Sequence, residues 1–96
     1  MIINKLKWQI KFDDNMRENL FGETNYSNLT IHLNSACCGE NLERTLLHEI
    51  VHAYCYSYGL TFIESFDREN FCEFISHNLE NISKIYEEAK KELKSL

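Results

Sequence analysis

Thr45-Leu46-Leu47-His48-Glu49-Ile50-Val51-His52-Ala53-Tyr54 is the stretch that decides how this chain folds. Apolar residues recur around it at helical spacing. At about 100° per residue, Leu42, Leu46, Leu47, Ile50, Val51, Ala53 and Tyr54 gather on one arc. Thr45, His48, Glu49, His52 and Tyr56 share the opposite arc. The pattern predicts an amphipathic helix over residues 42–58. Asn41 is its candidate N-cap, and Gly59 ends it as a C′ residue would.

Histidines four residues apart lie one turn apart on the same helix face. Both imidazoles of His48 and His52 can then reach a single Zn2+ ion at about 2.0–2.1 Å. Glu49 follows the first histidine and points beside the metal. There it can act as general base, taking a proton from a zinc-activated water and passing it to the leaving amine. The His and Glu content of the chain makes a chance H-E-x-x-H roughly a 2% event. Helical context sharpens it, because Ile50 and Val51 point towards the core between the two histidines.

Upstream, Leu6-Lys7-Trp8-Gln9-Ile10-Lys11-Phe12 alternates apolar and polar residues, the signature of a strand with one face buried. Leu29-Thr30-Ile31-His32-Leu33 alternates again, with a looser stretch over 16–28 between them. These segments predict a small sheet of two or three strands, antiparallel or mixed. Trp8 belongs to its core and His32 to its exposed side. Residues 34–40 read as a loop. A second helix is expected from about Asp67 to the C-terminus, striped by Phe71, Ile75, Leu79, Ile82, Ile85, Tyr86, Ala89 and Leu93. The fold class is α+β, a small sheet followed by an active-site helix and a C-terminal glutamate helix.

With 96 residues, 44% hydrophobic and 26% charged, the chain reads as one globular domain over 1–96. Its net charge of −5 argues against nucleic acid, whose phosphates call for clustered Lys and Arg. No apolar run approaches the roughly 20 residues of a membrane span, and no early stretch resembles a signal peptide. The cytoplasm is the expected location. Four cysteines without a C-x-x-C pair read as free thiols, Cys37 and Cys38 being adjacent and Cys55 and Cys72 lying in helical patterns.

A catalytic zinc takes three protein ligands and keeps one position open. No third histidine follows at the H-x-x-G-x-x-H spacing, where Cys55 and Tyr58 stand instead. Glu69 and Glu73 follow, one turn apart and opposite the apolar stripe of their helix. Taken with residues 45–54 and the strands around Trp8, Ile10 and 30–33, this resembles the minigluzincins, very small relatives of the thermolysin-type zinc peptidases. The resemblance implies Glu69 as third zinc ligand and Glu73 as the acid supporting a zinc-bound histidine. Because the second acid is Glu rather than Asp, the two roles are open to exchange. It also implies that strand 29–33 is the edge lining the cleft, to which an extended peptide substrate adds through main-chain hydrogen bonds.

An oxyanion needs a donor besides the metal. His77 and Tyr56 are the candidates, with Tyr54, Tyr58 and Tyr86 nearby in sequence and each also readable as structural. The charged segment 87–94 reads as a solvated helix end, or alternatively as a strap over the cleft that restrains activity. A zinc metallopeptidase is the function implied. The alternative is a catalytically silent zinc-binding regulatory or interaction module, against which Glu49 weighs, since a structural site has no use for a general base.

Overall fold

Short strands in the first third of the chain build two small sheets, and two helices follow, the α+β class expected. The computed structural model describes residues 1–17, 19–60 and 68–96. β1 (Ile2–Ile3) and β2 (Leu6–Lys7) pair as an antiparallel hairpin. Asn4 and Lys5 turn it with φ of 46° and 70°, the positive angles that match the twist of a two-residue hairpin. The alternating segment 6–12 is thereby divided at Trp8. Its amide donates to the Met1 carbonyl at 2.8 Å, and its indole Nε1 donates to Ser57 Oγ at 3.0 Å. Trp8 is buried, as its place in the pattern predicts.

β3 (Gln9–Asp13), β4 (Gly22–Asn25) and β5 (Thr30–Asn34) form a mixed sheet in the order β3-β5-β4. β3 is parallel to β5 and β4 antiparallel to it. The register aligns Ile10 with Ile31 and Phe12 with Leu33, and on the other side Thr24 with Ile31 and Gly22 with Leu33. Those six residues share one face. Lys11, His32 and Glu23 share the other, where His32 is half-buried.

This topology corrects one expectation. Strand 29–33 is the middle of the sheet, its backbone committed to ladders on both sides, so it offers no edge to a peptide. The edge is β4. The Asn34 amide donates to the Phe21 carbonyl at 2.8 Å, which makes Phe21 and Asn34 a hydrogen-bonded pair. By the alternation of an antiparallel ladder, Gly22 and Thr24 then turn their N–H and C=O groups to the outer side.

α1 (Gly39–Ser57) covers the inner face of the sheet. It starts before the expected Asn41, after Cys38 in extended conformation, with no side-chain cap. Asn41 instead lies within the first turn, where its carbonyl accepts the Thr45 hydroxyl at 2.7 Å. The C-terminal end matches expectation. Gly59 has φ of 78°, its amide donates to the Tyr56 carbonyl, and the Leu60 amide donates to the Cys55 carbonyl, the two bonds of a Schellman closure. Leu46, Ile50, Ala53 and Tyr54 are fully buried, whereas Leu47 lies 38% exposed although the helical arc had grouped it with them.

α2 (Arg68–Lys94) runs back along α1; the expected start at Asp67 lies outside the described residues. The Tyr54 hydroxyl donates to Asn78 Oδ1 at 2.7 Å, and Asn78 Nδ2 donates to the Phe74 carbonyl at 2.8 Å, tying the helices together. Burial raises the Tyr54 phenol above its ordinary pKa, so it stays a neutral donor. All four cysteines are free. No helix among the described residues is long and apolar enough to cross a membrane.

Segment 87–94 is a helix end whose charged side faces solvent, as expected, while its apolar side packs inward, and it is not a strap over the histidines. Ala89 is wholly buried, Leu93 packs on the core, and Glu92 meets the Met1 ammonium at 3.0 Å. Glu87, Lys90, Lys91, Leu93 and Lys94 share a cavity with Gly39, Leu42 and Glu43, at the opening turns of α1. Truncation after Tyr86 is therefore expected to destabilise the protein by at least about 2 kcal/mol, read from the denaturant midpoint. An unchanged midpoint would contradict this packing role.

Candidate metal centre

His48 and His52 stand on the open side of α1, one turn apart, with their Nε2 atoms 3.1 Å from each other. The rings are steeply inclined at 72°. Two nitrogens bound to one tetrahedral ion at about 2.0–2.1 Å lie roughly 3.3 Å apart. The pair is thus already close to the spacing a shared ion requires. The His48 side chain is 69% exposed, so solvent reaches the nitrogens. By donor type and position, both residues fit as zinc ligands.

Glu49 has the opposite environment. It is only 7% exposed although it neighbours His48 in sequence. The helix turns it under β4, where the Thr24 hydroxyl donates to Oε1 at 2.8 Å and approaches the Glu49 carbonyl at 3.3 Å. Oε2, the other oxygen, lies 4.0 Å from His48 Nε2. Tyr26, just beyond β4, has its phenol raised in pKa first by burial and then by the charge of Glu49.

Two hollows flank the histidines, and His48 lines both. One, of about 280 Å3, is bounded by Asn19, Leu20, Phe21, Gly22, Thr45 and Glu49. The other, of about 340 Å3, is bounded by Val51, His52, Cys55 and Phe71. Phe71 is the point at which α2 approaches the pair.

Glu69 lies in the first turn of α2 and is exposed. Glu73 is exposed as well and pairs with His77 at 3.3 Å, a surface contact of small energetic weight. Helical phase places each glutamate about 160° around the axis from Phe71. Among the described residues, no three His, Cys, Asp or Glu side chains come together in a group that could hold a metal ion. The histidine pair and Glu49 are assembled; the acids of α2 stand apart from them.

Tyr56, read from sequence as a candidate donor, lies in an aromatic column. Tyr26 stacks on it at 4.7 Å, and Trp8 meets it edge-on at 6.0 Å. Thr24, Gly22 and Tyr26 went unnoticed in the sequence, because Gly22-Glu23-Thr24-Asn25 has no apolar alternation to mark it. The available signal was indirect: a buried carboxylate on the helix needs a donor from another element.

The SprT-like family model matches residues 3–79, from the first hairpin through α1 and into the first half of α2. No curated protein and no solved structure matches the chain significantly.

The convergence of the two imidazoles predicts that His48→Ala and His52→Ala each weaken zinc binding at least about 100-fold in equilibrium dialysis. Retention of wild-type affinity by either variant would remove that histidine from the site.

Proposed function

This chain belongs to the SprT-like family, and from that membership we propose that it is a zinc-dependent metallopeptidase. The observation that carries the reading is the pair of Nε2 atoms 3.1 Å apart beside a buried, oriented carboxylate. His48 and His52 supply two ligands. Glu69 supplies the third, with Glu73 supporting a histidine or exchanging roles with it. This assignment requires the first turns of α2 to rotate about their axis, since Phe71 now occupies the near side.

A bound zinc ion supplies Lewis acidity, polarising the scissile carbonyl and making water a nucleophile near neutral pH. Glu49 Oε2 then takes the proton of the attacking water and returns it to the leaving amine. Anchorage of Oε1 by Thr24 keeps the other oxygen directed towards the histidines. The peptide lies along the outer edge of β4, where Gly22 and Thr24 offer N–H and C=O groups to an added strand. The hollow bounded by Val51, Cys55 and Phe71 receives an apolar side chain next to the scissile bond.

The second reading, a zinc-binding module without turnover, uses the same histidine pair and differs in giving the buried Glu49 carboxylate no proton to carry. Metal content and cleavage of fluorogenic casein, measured on wild type, Glu49→Gln, Glu69→Ala and Glu73→Ala, separate the two. About one zinc per chain is expected in wild type. Glu49→Gln is expected to keep the metal and lose at least about 100-fold in rate. Glu69→Ala is expected to lose zinc and Glu73→Ala to keep most of it. A zinc-loaded wild type no faster than Glu49→Gln would establish the silent module, and zinc retained in both α2 variants would place the third ligand elsewhere.

A further inference from the structure

The function of β4 is not exhausted by its free edge. Thr24 faces α1 and donates its hydroxyl to Glu49 Oε1 at 2.8 Å. The same residue turns its main-chain N–H and C=O outward, to the side on which a peptide would add. Two positions earlier, Gly22 makes room for this contact. A Cβ there would come within 2.6 Å of Thr45 Cγ2 and 3.1 Å of Glu49 Cγ. Its φ is not in the left-handed region, so the glycine serves space rather than backbone conformation.

We infer that Gly22-x-Thr24 is a seat for the general base and that Thr24 is its positioning residue. The inference rests on the peptidase reading and adds to it a division of labour between the carboxylate oxygens. Oε1 is held by Thr24, while Oε2, 4.0 Å from His48 Nε2, stays available for the proton. A carboxylate with two equivalent rotamers would spend part of its time turned away; one pinned at a single oxygen does not. Because the pin stands on the edge strand, whatever orders β4 also orders Glu49. Substrate docking and base alignment are thereby joined in a single residue.

The test compares zinc-loaded wild type, Thr24→Val and Thr24→Ser on fluorogenic casein, with crystal structures of the first two. Valine keeps the shape and the β propensity and removes only the donor. Thr24→Val is expected to lower kcat about 10- to 100-fold at unchanged zinc content, with KM within about twofold of wild type. Its Glu49 carboxylate should leave the observed rotamer. Thr24→Ser restores the hydroxyl and is expected to recover most of kcat. Full kcat in Thr24→Val, an unmoved Glu49, or a serine variant as impaired as the valine one would overturn the positioning role. A zinc-loaded wild type without any turnover would instead overturn the peptidase reading, and a Glu49 rotamer unchanged by Thr24→Val would then overturn the seat independently of activity.

Discussion

The carboxylate of Glu49 sits between α1 and β4 with only 7% of the residue exposed. Removing a charge from water costs several kcal/mol unless donors replace the solvent. Glu49 lies mid-helix, too far from the N-terminus of α1 to draw on the helix dipole, which fades within one turn. The replacement must therefore come from another element, and it comes from the Thr24 hydroxyl. Meeting this one requirement draws β4, one of the sheet's two outer strands, onto the helix and limits position 22 to a residue without Cβ.

The remaining structure holds α1 at the angle this contact needs. Trp8 fixes the last turn through Ser57, whose hydroxyl in turn donates to the Ala53 carbonyl. Tyr54 is tied to α2 through Asn78, and Leu46 and Ile50 fill the space under β5. With the apolar arc held inward and Glu49 turned towards β4, His48 and His52 have only the open side left. Their outward position is thus a consequence of packing elsewhere. A chain of this size has a thin core, so an ion held by those histidines would contribute to stability as well as to chemistry.

What was legible in the sequence follows the strength of its periodic signals. The helix around residues 45–54 and its glycine stop were plain, because period 3.6 and a positive-φ residue leave local traces. The class of the fold followed from two alternating segments before two helical ones. Sheet order was not legible. β3 and β5 both alternate, yet nothing local says that they run parallel with β4 on the other side of β5; that is a property of the sheet order alone. β4 itself carries no pattern, since two of its four inner and outer positions are Gly22 and Thr24, chosen for the glutamate they face. Leu47 departs from its arc for a related reason: phase on a helix says which residues share a side, not which neighbour covers it.

The polar arc of α1 taught the same lesson. Sequence grouped Thr45, His48, Glu49, His52 and Tyr56 as one face, whereas the structure divides them. The histidines are open to solvent, Glu49 is buried against β4, and Tyr56 stacks between Tyr26 and Trp8. The central claim is that the two imidazoles are preset for one shared ion. The direct measurement is a crystal structure of protein grown with zinc, with anomalous data collected at the zinc edge. The account predicts a single strong peak about 2.0–2.1 Å from Nε2 of both His48 and His52. A zinc-soaked crystal with no peak there, the imidazoles merely hydrogen-bonded to each other, would contradict it.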